Sequence, residues 1–325
     1  MPESVLVTGG AGFIGSHLVE RLLAEGHDVH LVDDISTGRL DNLAAVRSHA
    51  KLHLIVDSIT NWPMVNDTAR LVDRVIHLAA VEGLRRNLDE PVETMKTNVR
   101  GTEILLDVCG KRELPIFIAS SADVYGLSGG LLREDSALVL GSPHEWRWWQ
   151  ATTKLMGESL GLAYHREQGL PVVVGRLFNV VGPRQSGRWG MVLPIFVKQA
   201  LAGEPLEVYG TGEQRRAFVH VGDAVDAILG LIHEPEAQGG IFNVGSQEEV
   251  TIMELAERVK ARTGSDSEIR TVPHPEEYGE DFRELERRQP DLTRIRETLG
   301  WEPEKSLDET IDEVAEYFRE RAGVA

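Results

Sequence analysis

The sequence predicts a doubly wound α/β fold, in which helices cover both faces of a parallel sheet. Apolar runs of strand length alternate with segments of helical periodicity from the first residues onward. The runs are continuously apolar, which is typical of parallel strands that are buried on both faces. The chain has 325 residues and is 42% apolar, which suffices for one large domain or two unequal lobes.

The predicted elements of the first half follow one another regularly. Strands are predicted at residues 5–9, 29–33, 52–56, 75–79, 116–120 and 171–178, and helices at 13–25, 92–110 and about 151–168. This order, in which helices separate successive strands, is typical of parallel strands joined by helical crossovers. Residues 1–178 are therefore predicted to form the first and larger lobe.

After residue 179 the composition changes, and glycine, proline and arginine become frequent in residues 182–190. Thr251 and Glu254 have capping-box spacing at the start of a helix. Residues 179–216 and 247–325 are predicted to form a smaller, interleaved lobe. The predicted elements here are helices at 191–201, 251–263 and 308–321, a strand at 206–210, and segments at 217–223 and 240–246 that return to the main sheet.

Charge and composition exclude several classes of protein. The formal net charge is −18, from 34 basic and 52 acidic residues, so we expect no nucleic-acid partner. No apolar run is long enough to span a bilayer, and a cytoplasmic protein with no membrane partner is expected. The single cysteine, Cys109, excludes a Cys-rich metal site, and no other metal-ligand spacing stands out, so no metal is predicted.

Glycines between the first strand and the first helix predict a dinucleotide site. Gly9 permits a tight turn, Gly12 lets a pyrophosphate approach the helix N-terminus, and Gly15 lets the helix lie close to the sheet. Asp33 ends the second strand, where a carboxylate binds ribose hydroxyls and disfavours the extra phosphate of NADP. We therefore predict that the first lobe is of Rossmann type and binds NAD. Asp57, at the end of the third strand, is either a contact of the adenine edge or a solvated acid.

Several further motifs occur in one order along nearly the whole chain. They are Gly9/Gly12/Gly15, His77-Leu78-Ala79-Ala80, Asn98, Ser120-Ser121, Lys154, residues 176–183 (RLFNVVGP) and residues 216–221 (RAFVHV). Together they resemble the extended short-chain dehydrogenase/reductases that act on nucleotide sugars: epimerases, dehydratases and decarboxylases. The resemblance adds Phe13, Ile14, Ala79, Ala80, Asn98 and Lys154 to the expected NAD contacts.

The resemblance also implies a catalytic set of Ser or Thr, Tyr and Lys, in which the tyrosine takes the proton of a sugar hydroxyl while hydride leaves for NAD. Ser121 and Lys154 match this set, but Gln150 stands where the tyrosine is expected, four residues before Lys154. An amide cannot act as a general base at neutral pH. This departure weakens the case for a 4-epimerase more than the case for an enzyme.

Three interpretations of Gln150 remain open. In the first, Asp123 is the base, since related dehydratases and decarboxylases carry an acid at this place; its alternative role is a helix or turn cap. In the second, Tyr125 or an activated water takes the proton, although Tyr125 is also expected to pack over the cofactor. In the third, the protein has lost its chemistry and only binds.

Asp123 favours dehydration: oxidation at C-4 acidifies the C-5 proton, a carboxylate removes it, and the C-6 hydroxyl leaves as water. The usual acid beside the base is replaced by Ala122, which leaves the acid for the leaving group unnamed. The pairing of Gln150 with Ala122 suggests an unusual dehydratase. The specific hypothesis is a 5,6-dehydratase of UDP-N-acetylglucosamine, as in tunicamycin-type nucleoside antibiotic pathways. The alternatives are a UDP-sugar 4-epimerase and a non-catalytic NAD- or nucleotide-sugar-binding protein.

The predicted substrate is a UDP- or dTDP-hexose, whose diphosphate needs cations and amide donors. The resemblance implies substrate contacts by Asn179, Val192, Val208, Tyr209, Arg216 and Arg288. Arg184, Arg188 and Trp189 are further candidates, since their loop is expected to close over the ligand. A homodimer through the helices at 92–110 and 151–168 is expected by resemblance.

Overall fold

Seven parallel strands form the main sheet of the computed structural model, which describes residues 1–81, 89–187, 191–274 and 287–322. Numbered in chain order, they are β1 (Ser4–Thr8), β2 (Asp28–Asp33), β3 (Leu52–Val56), β4 (Arg74–His77), β5 (Ile116–Ser121), β7 (Val172–Leu177) and β12 (Gly240–Val244). Their spatial order is β12-β7-β5-β4-β1-β2-β3. The order reverses beside β1, where doubly wound sheets open their ligand cleft.

Helices cover both faces of this sheet, as the sequence predicts for a Rossmann-type α/β fold. In the described ranges they are α1 (Phe13–Ala24), α2 (Trp62–Thr68), α3 (Pro91–Arg112), α4 (Arg147–Gln168), α5 (Val192–Ala202), α6 (Val221–His233), α7 (Ile252–Thr263), α8 (Thr293–Leu299) and α9 (Leu307–Ala322). Side chains of α1 and α6 form one core layer, and side chains of α2 and α3 form another.

The uninterrupted apolar strands follow from this double cover. Successive side chains of a strand point to opposite faces. In β1, Val5 and Val7 pack into the layer with α1, whereas Leu6 packs into the layer with α3. Both faces of the strand are shielded from water, so the side chains on both faces are apolar.

The later part of the chain builds smaller sheets and a third core layer from α5, α7 and α9. The strands are β6 (Leu131–Leu132), β8 (Val180–Val181), β9 (Leu206–Tyr209), β10 (Arg215–Ala217), β11 (Val219–His220), β13 (Glu249–Thr251), β14 (Ile269–Val272) and β15 (Arg287–Pro290). They form sheets of order β13-β10-β15-β6, β11-β8 and β14-β9. The lobe boundaries drawn from the sequence stay a prediction.

One returning segment was predicted correctly and the other was not. Residues 240–244 form β12 and pair with β7 at the edge of the main sheet, which confirms the prediction for 240–246. The prediction for 217–223 is wrong, because this segment divides between β10, β11 and the start of α6, and neither strand joins the main sheet. Instead, β10 pairs with β13 and β15, and β11 pairs with β8.

Two helix starts bear on the site. The capping box of α7 is confirmed: Thr251 Oγ1 accepts from the Glu254 amide at 3.0 Å, and Glu254 Oε2 accepts from the Thr251 amide at 2.7 Å. Helix α4 begins at Arg147 rather than near residue 151. Gln150 therefore lies inside the helix, one turn before Lys154 and on the same face.

Candidate active site

A cleft of about 610 Å³ opens at the carboxyl ends of the main-sheet strands and extends to the later sheets. Doubly wound folds bind their ligands at this edge. The structure brings most of the predicted site residues to its wall: Gly9, Gly12, Phe13, Ile14, Gly15, Asp33, Asp57, Ala79, Ala80, Ser121, Asp123, Gln150, Lys154, Asn179, Val192, Tyr209, Arg216 and Arg288. Tyr125, Asn98 and Val208 are not part of this wall.

The glycine loop packs closely against its neighbours and leaves the first amides of α1 without a side-chain cap. Gly9 has φ +74°, and a β-carbon there would lie 2.7 Å from the Ala79 amide nitrogen. A β-carbon on Gly15 would collide with the carbonyl oxygen of Gly9. Gly12 precedes α1 and has no side chain to cap the first amides of that helix. These amides are available to a pyrophosphate.

Two acids lie along the cleft beyond the glycine loop. Asp33 Oδ2 accepts from the Ala11 amide at 2.9 Å, and Oδ1 accepts from the Ile35 amide at 2.8 Å. Burial raises the pKa of Asp33, although these two donors oppose the rise. Asp57 accepts hydrogen bonds of 2.7 Å from the Ser58 amide and from Asn61 Nδ2. Each carboxylate oxygen keeps a second lone pair for a ligand hydroxyl or amine.

Asn98 is held behind the cleft. Its Oδ1 accepts from the Val81 amide at 2.8 Å, and its Nδ2 donates to the Val81 carbonyl at 3.2 Å and to Thr153 Oγ1 at 3.3 Å. Asn98 thus fixes the chain after β4 against α4, and it also lines a small pocket with Ala79, Ala80 and Lys154. Its contact with NAD stays a prediction.

His77 is a buried residue to which the sequence reasoning assigned no role. Its Nδ1 pairs with Thr8 Oγ1 at 2.8 Å, and its Nε2 pairs with Thr102 Oγ1 at 2.9 Å. Burial, and to a smaller extent the charge of Lys154, lowers the pKa of His77 to about 3. A neutral imidazole thus joins β1, β4 and α3. In the sequence, only its place in the His77-Leu78-Ala79-Ala80 motif pointed to a role for His77.

Ser121, Gln150 and Lys154 all line the cleft. The Nζ atom of Lys154 donates to the carbonyl oxygen of Ala119 at 3.0 Å, and both Lys154 and Gln150 are buried. Ser121 Oγ accepts from the Asp123 amide at 3.1 Å and so caps a 3₁₀ turn at Ala122–Tyr125. Ser121 both caps this turn and lines the cleft.

Tyr125 is turned into the core by that 3₁₀ turn. Its hydroxyl donates to Asn243 Oδ1 at 2.7 Å, its ring packs against Phe178, and the guanidinium of Arg176 lies 4.7 Å from the ring centre. Burial raises the pKa of Tyr125. The interpretation that Tyr125 takes the proton is therefore wrong, and so is the expectation that it packs over the cofactor. Among the tyrosines that the structure describes, only Tyr209 lines the cleft.

Asp123 faces the cleft and is held there by an arginine from the later sheet. Arg288 Nη1 donates to Asp123 Oδ1 at 2.5 Å, and Ser121 Oγ donates to Oδ2 at 3.3 Å. Burial alone would raise the pKa of Asp123, but the adjacent guanidinium of Arg288, helped by Arg147, lowers the pKa below its ordinary value. The carboxylate is thus ionised and paired.

The far end of the cleft carries the predicted substrate contacts. Arg216 on β10 and Arg288 on β15 are register partners on adjacent parallel strands. Asn179 has φ +38°, and its Nδ2 donates to the Ala217 carbonyl at 2.8 Å. Tyr209 stacks on His274 with ring centres 6.1 Å apart.

Two substrate candidates are placed differently from the expectation, and two lie outside the described residues. The Val208 side chain is fully buried in the core, so Val208 can contact a ligand only through its backbone, and that contact stays a prediction. Arg184 lines the cleft, but its Nη2 donates to both carboxylate oxygens of Glu20, at 2.8 and 2.7 Å. Arg188 and Trp189 fall outside the described residues.

The cleft wall fits a dinucleotide together with a second polar ligand. Arg184 Nη1, Gln185 Oε1 and Arg288 Nε are buried without hydrogen-bond partners among the described residues. Buried polar groups normally have partners, so these atoms are suited to ligand contacts. The described residues contain no group of three or more His, Cys, Asp or Glu side chains that could hold a metal ion. Of the described helices, none has the length and apolarity to cross a membrane.

The fold and the cleft define an enzyme of Rossmann type that uses a dinucleotide. The chain belongs to the NAD dependent epimerase/dehydratase family, whose model matches residues 5–245. The cofactor is NAD, which is bound in solved structures of similar proteins.

Curated relatives and solved structures cover almost the whole chain. The UDP-N-acetyl-alpha-D-glucosaminuronate decarboxylase of Bacillus cytotoxicus is 36% identical over 98% of this chain and 99% of its own length. UDP-glucuronic acid decarboxylase 6 of Arabidopsis thaliana is 37% identical over 98% of this chain and 90% of its own length.

Two solved structures carry other activities. A UDP-glucose 4-epimerase from Thermotoga maritima with UDP-glucose has a TM-score of 0.88 at 31% identity and covers 98% of this chain and 99% of that chain. A dTDP-glucose 4,6-dehydratase from Streptomyces venezuelae, solved with NAD, has a TM-score of 0.88 at 30% identity and covers 99% and 98%. The family therefore establishes NAD-dependent processing of nucleotide sugars and leaves the particular reaction to the site.

Proposed function

We propose that this protein is a lyase that dehydrates a nucleotide hexose, with Asp123 as the base at C-5. The supporting observation is the arrangement around Lys154. A carboxylate lines the cleft beside Ser121, while the position of the family tyrosine holds Gln150 and Tyr125 is buried in the core. Unlike the Gln150 amide, the Asp123 carboxylate can accept a proton at neutral pH.

NAD, when bound, supplies the hydride acceptor and donor that makes the oxidation at C-4 reversible. In our proposal Gly9, Gly12 and Gly15 admit its pyrophosphate, Asp33 accepts hydrogen bonds from ribose hydroxyls, and Lys154 donates to the nicotinamide ribose. Phe13, Ile14, Asp57, Ala79 and Ala80 line the same part of the cleft. These roles fit the uncapped amides at the start of α1 and the close packing of Gly9 and Gly15.

The chemistry at C-5 and C-6 is assigned to Asp123. Once C-4 is a ketone, the C-5 proton is acidic because the carbanion is an enolate. The Asp123 carboxylate takes this proton and passes it to the C-6 hydroxyl, which departs as water and leaves a double bond between C-5 and C-6. Ala122 has no proton to give, so departure of the hydroxyl does not depend on an acid at that position.

The substrate in this proposal is a UDP- or dTDP-hexose, with Arg216, Arg288 and Asn179 at the diphosphate and Val192 and Tyr209 nearby. The pairing of Gln150 with Ala122 supports the narrower proposal of a UDP-N-acetylglucosamine 5,6-dehydratase of antibiotic biosynthesis. We also propose a homodimer through α3 and α4, which lie side by side.

Decarboxylation of a UDP-hexuronate is a second candidate, which the curated relatives favour. In that reaction a ketone at C-4 makes the C-6 carboxylate a β-keto acid, which loses carbon dioxide. A base at C-5 is then not needed to release the leaving group, so the two reactions place different demands on Asp123.

Mass spectrometry of sugar products separates these reactions. The NAD-loaded protein is incubated in deuterated water with UDP-N-acetylglucosamine, dTDP-glucose, UDP-glucuronate or UDP-N-acetylglucosaminuronate. Loss of one water from a neutral hexose supports the proposal, whereas loss of carbon dioxide from a uronate supports the second candidate. An unchanged mass with an altered configuration indicates a 4-epimerase. No change in any sugar would refute a lyase and leave a binding protein.

A further inference from the structure

Two arginines stand side by side where the later sheets meet the cleft. Arg216 and Arg288 are register partners on β10 and β15, and both line the cleft. Partners on neighbouring parallel strands point to the same face of the sheet, with their strands about 4.8 Å apart. Their guanidiniums carry like charges on one face of the sheet, and an anion bound between them would offset this repulsion. A diphosphate is such an anion, because its oxygens can accept hydrogen bonds from both guanidiniums.

In this structure Asp123 neutralises one of the two. Its Oδ1 accepts from Arg288 Nη1 at 2.5 Å, across a chain separation of 165 residues. The Arg288 side chain is only 13% exposed. Its Nε is buried without a hydrogen-bond partner among the residues described. Arg288 therefore donates through Nη1 to the carboxylate, while its Nε remains unsatisfied.

We propose that Asp123 is the resident counter-ion of Arg288 and that the diphosphate of the bound nucleotide displaces it. Arg288 then turns from the carboxylate to the phosphate oxygens and satisfies its orphaned Nε. The carboxylate is released only when a nucleotide fills the far end of the cleft. This inference rests on the proposed function, because it takes Asp123 as the base.

The exchange ties proton removal to recognition of the nucleotide. While Arg288 is bound, the carboxylate is stabilised as an anion and is a poor base. After the exchange, Arg147 and Lys154 from α4 remain as cations in the cleft wall and the Ser121 hydroxyl remains as a donor. Asp123 then has one strong partner fewer and is free to turn toward the sugar.

Binding of UDP alone to the NAD-loaded protein tests the exchange without turnover. If UDP must take Arg288 from Asp123, Asp123→Asn removes a competitor and tightens UDP binding by about tenfold, which is about 1.4 kcal/mol. Arg288→Gln weakens UDP binding. In the Arg288→Gln background, Asp123→Asn should change the affinity little, because the competition is already absent. Titration calorimetry of the four proteins measures this cycle.

The controls separate exchange from simple charge repulsion. If Asp123→Asn tightens UDP binding equally with and without Arg288, the carboxylate merely repels the phosphates and the exchange is refuted. Unchanged or weaker UDP binding in Asp123→Asn refutes it as well. Asp135→Asn, at an exposed position, should leave the affinity unchanged. If Arg288→Gln does not retain NAD, Arg288→Met replaces it, since methionine fills similar space and has no charge to pair with Asp123.

Failure of the inference and failure of the proposed function give different results. An Asp123→Asn protein that binds UDP more tightly and still dehydrates its sugar would support the exchange and overturn the base. One that has lost turnover and binds UDP with wild-type affinity would support the base and overturn the exchange.

Discussion

Glu158 and Arg176 form a bidentate ion pair in the core, with Nε to Oε1 at 2.9 Å and Nη2 to Oε2 at 2.7 Å. Their side chains are 2% and 3% exposed. Ser120 Oγ also donates to Glu158 Oε1 at 2.5 Å. Glu158 stands one turn after Lys154 in α4, so the pair fixes this helix against β5 and β7. The positions of Lys154 and Ser121 relative to each other depend on it.

Removal of Glu158 is expected to destabilise the protein strongly. Glu158→Ala leaves the Arg176 charge buried without its partner, and such a loss costs about 3–5 kcal/mol. Urea unfolding, followed by circular dichroism, measures the change in the free energy of unfolding. Lys111→Ala breaks an exposed pair with Asp107 and should cost at most about 1 kcal/mol. Equal costs for the two variants would contradict the structural role of Glu158.

The glycine loop gives a second prediction, on cofactor binding. Gly15→Ala places a β-carbon against the carbonyl oxygen of Gly9, so the loop must shift and NAD affinity should fall at least tenfold, a cost of about 1.4 kcal/mol. Gly129→Ala is the matched control, since no atom lies within 4 Å of its added β-carbon. Fluorescence titration with NADH compares them. Wild-type affinity in Gly15→Ala would show that the close approach is not needed.

The fold was predictable where local pattern and burial coincide. The apolar run predicted as a strand at residues 116–120 lies within β5, where all five of these residues are buried, because burial on both faces leaves a signature along the strand itself. The segment 217–223 has the same apolar character, but its pattern does not say which sheet it will join. Only its short strands and the antiparallel pairing of β10 with β13 reveal that.

Most of the residues predicted for the site line the cleft, but the contacts among them were not predictable. Sequence order puts Asp123 and Tyr125 two positions apart, yet the 3₁₀ turn sends one to the cleft and the other to the core. No local pattern carries that difference. The pairing of Asp123 with Arg288 spans 165 residues, and depends on how β15 docks beside β10.

Acid sensitivity is expected from His77. Its pKa is lowered by burial from 6.5 to about 3. Below pH 6.5 the His77 side chain therefore binds a proton in the unfolded chain but stays neutral in the folded protein. Stability from this residue is therefore complete above pH 6.5 and is lost as the pH falls toward 3. Between neutral pH and about pH 5 the loss is about 2 kcal/mol.

A histidine variant isolates this contribution. His77→Gln should lower stability at neutral pH, because the hydrogen bonds to Thr8 and Thr102 are disturbed. Its further loss of stability on acidification should be smaller than that of the wild type by about 2 kcal/mol. His144→Gln, at an exposed position, should leave the pH dependence unchanged. Urea unfolding at both pH values gives the comparison, and parallel curves for wild type and His77→Gln would contradict the assignment.

The proposed base gives the prediction closest to function. Asp123→Asn keeps the size of the side chain but removes its ability to take a proton, so turnover should fall by about 10²–10⁴-fold. NAD should stay bound, because Asp123 is not among the proposed cofactor contacts. Product formation by mass spectrometry and NAD content by absorbance are measured on the same sample.

Asp135→Asn is the control for this substitution, since the side chain of Asp135 is exposed and pairs only with Arg133 among the described residues. It should retain full turnover. Loss of NAD together with turnover in Asp123→Asn would indicate a folding defect, which Asp123→Glu distinguishes: a longer carboxylate keeps the base and should recover part of the rate if the protein is folded. Dehydration at the wild-type rate by Asp123→Asn would remove this carboxylate from the mechanism and leave an activated water as the proton acceptor.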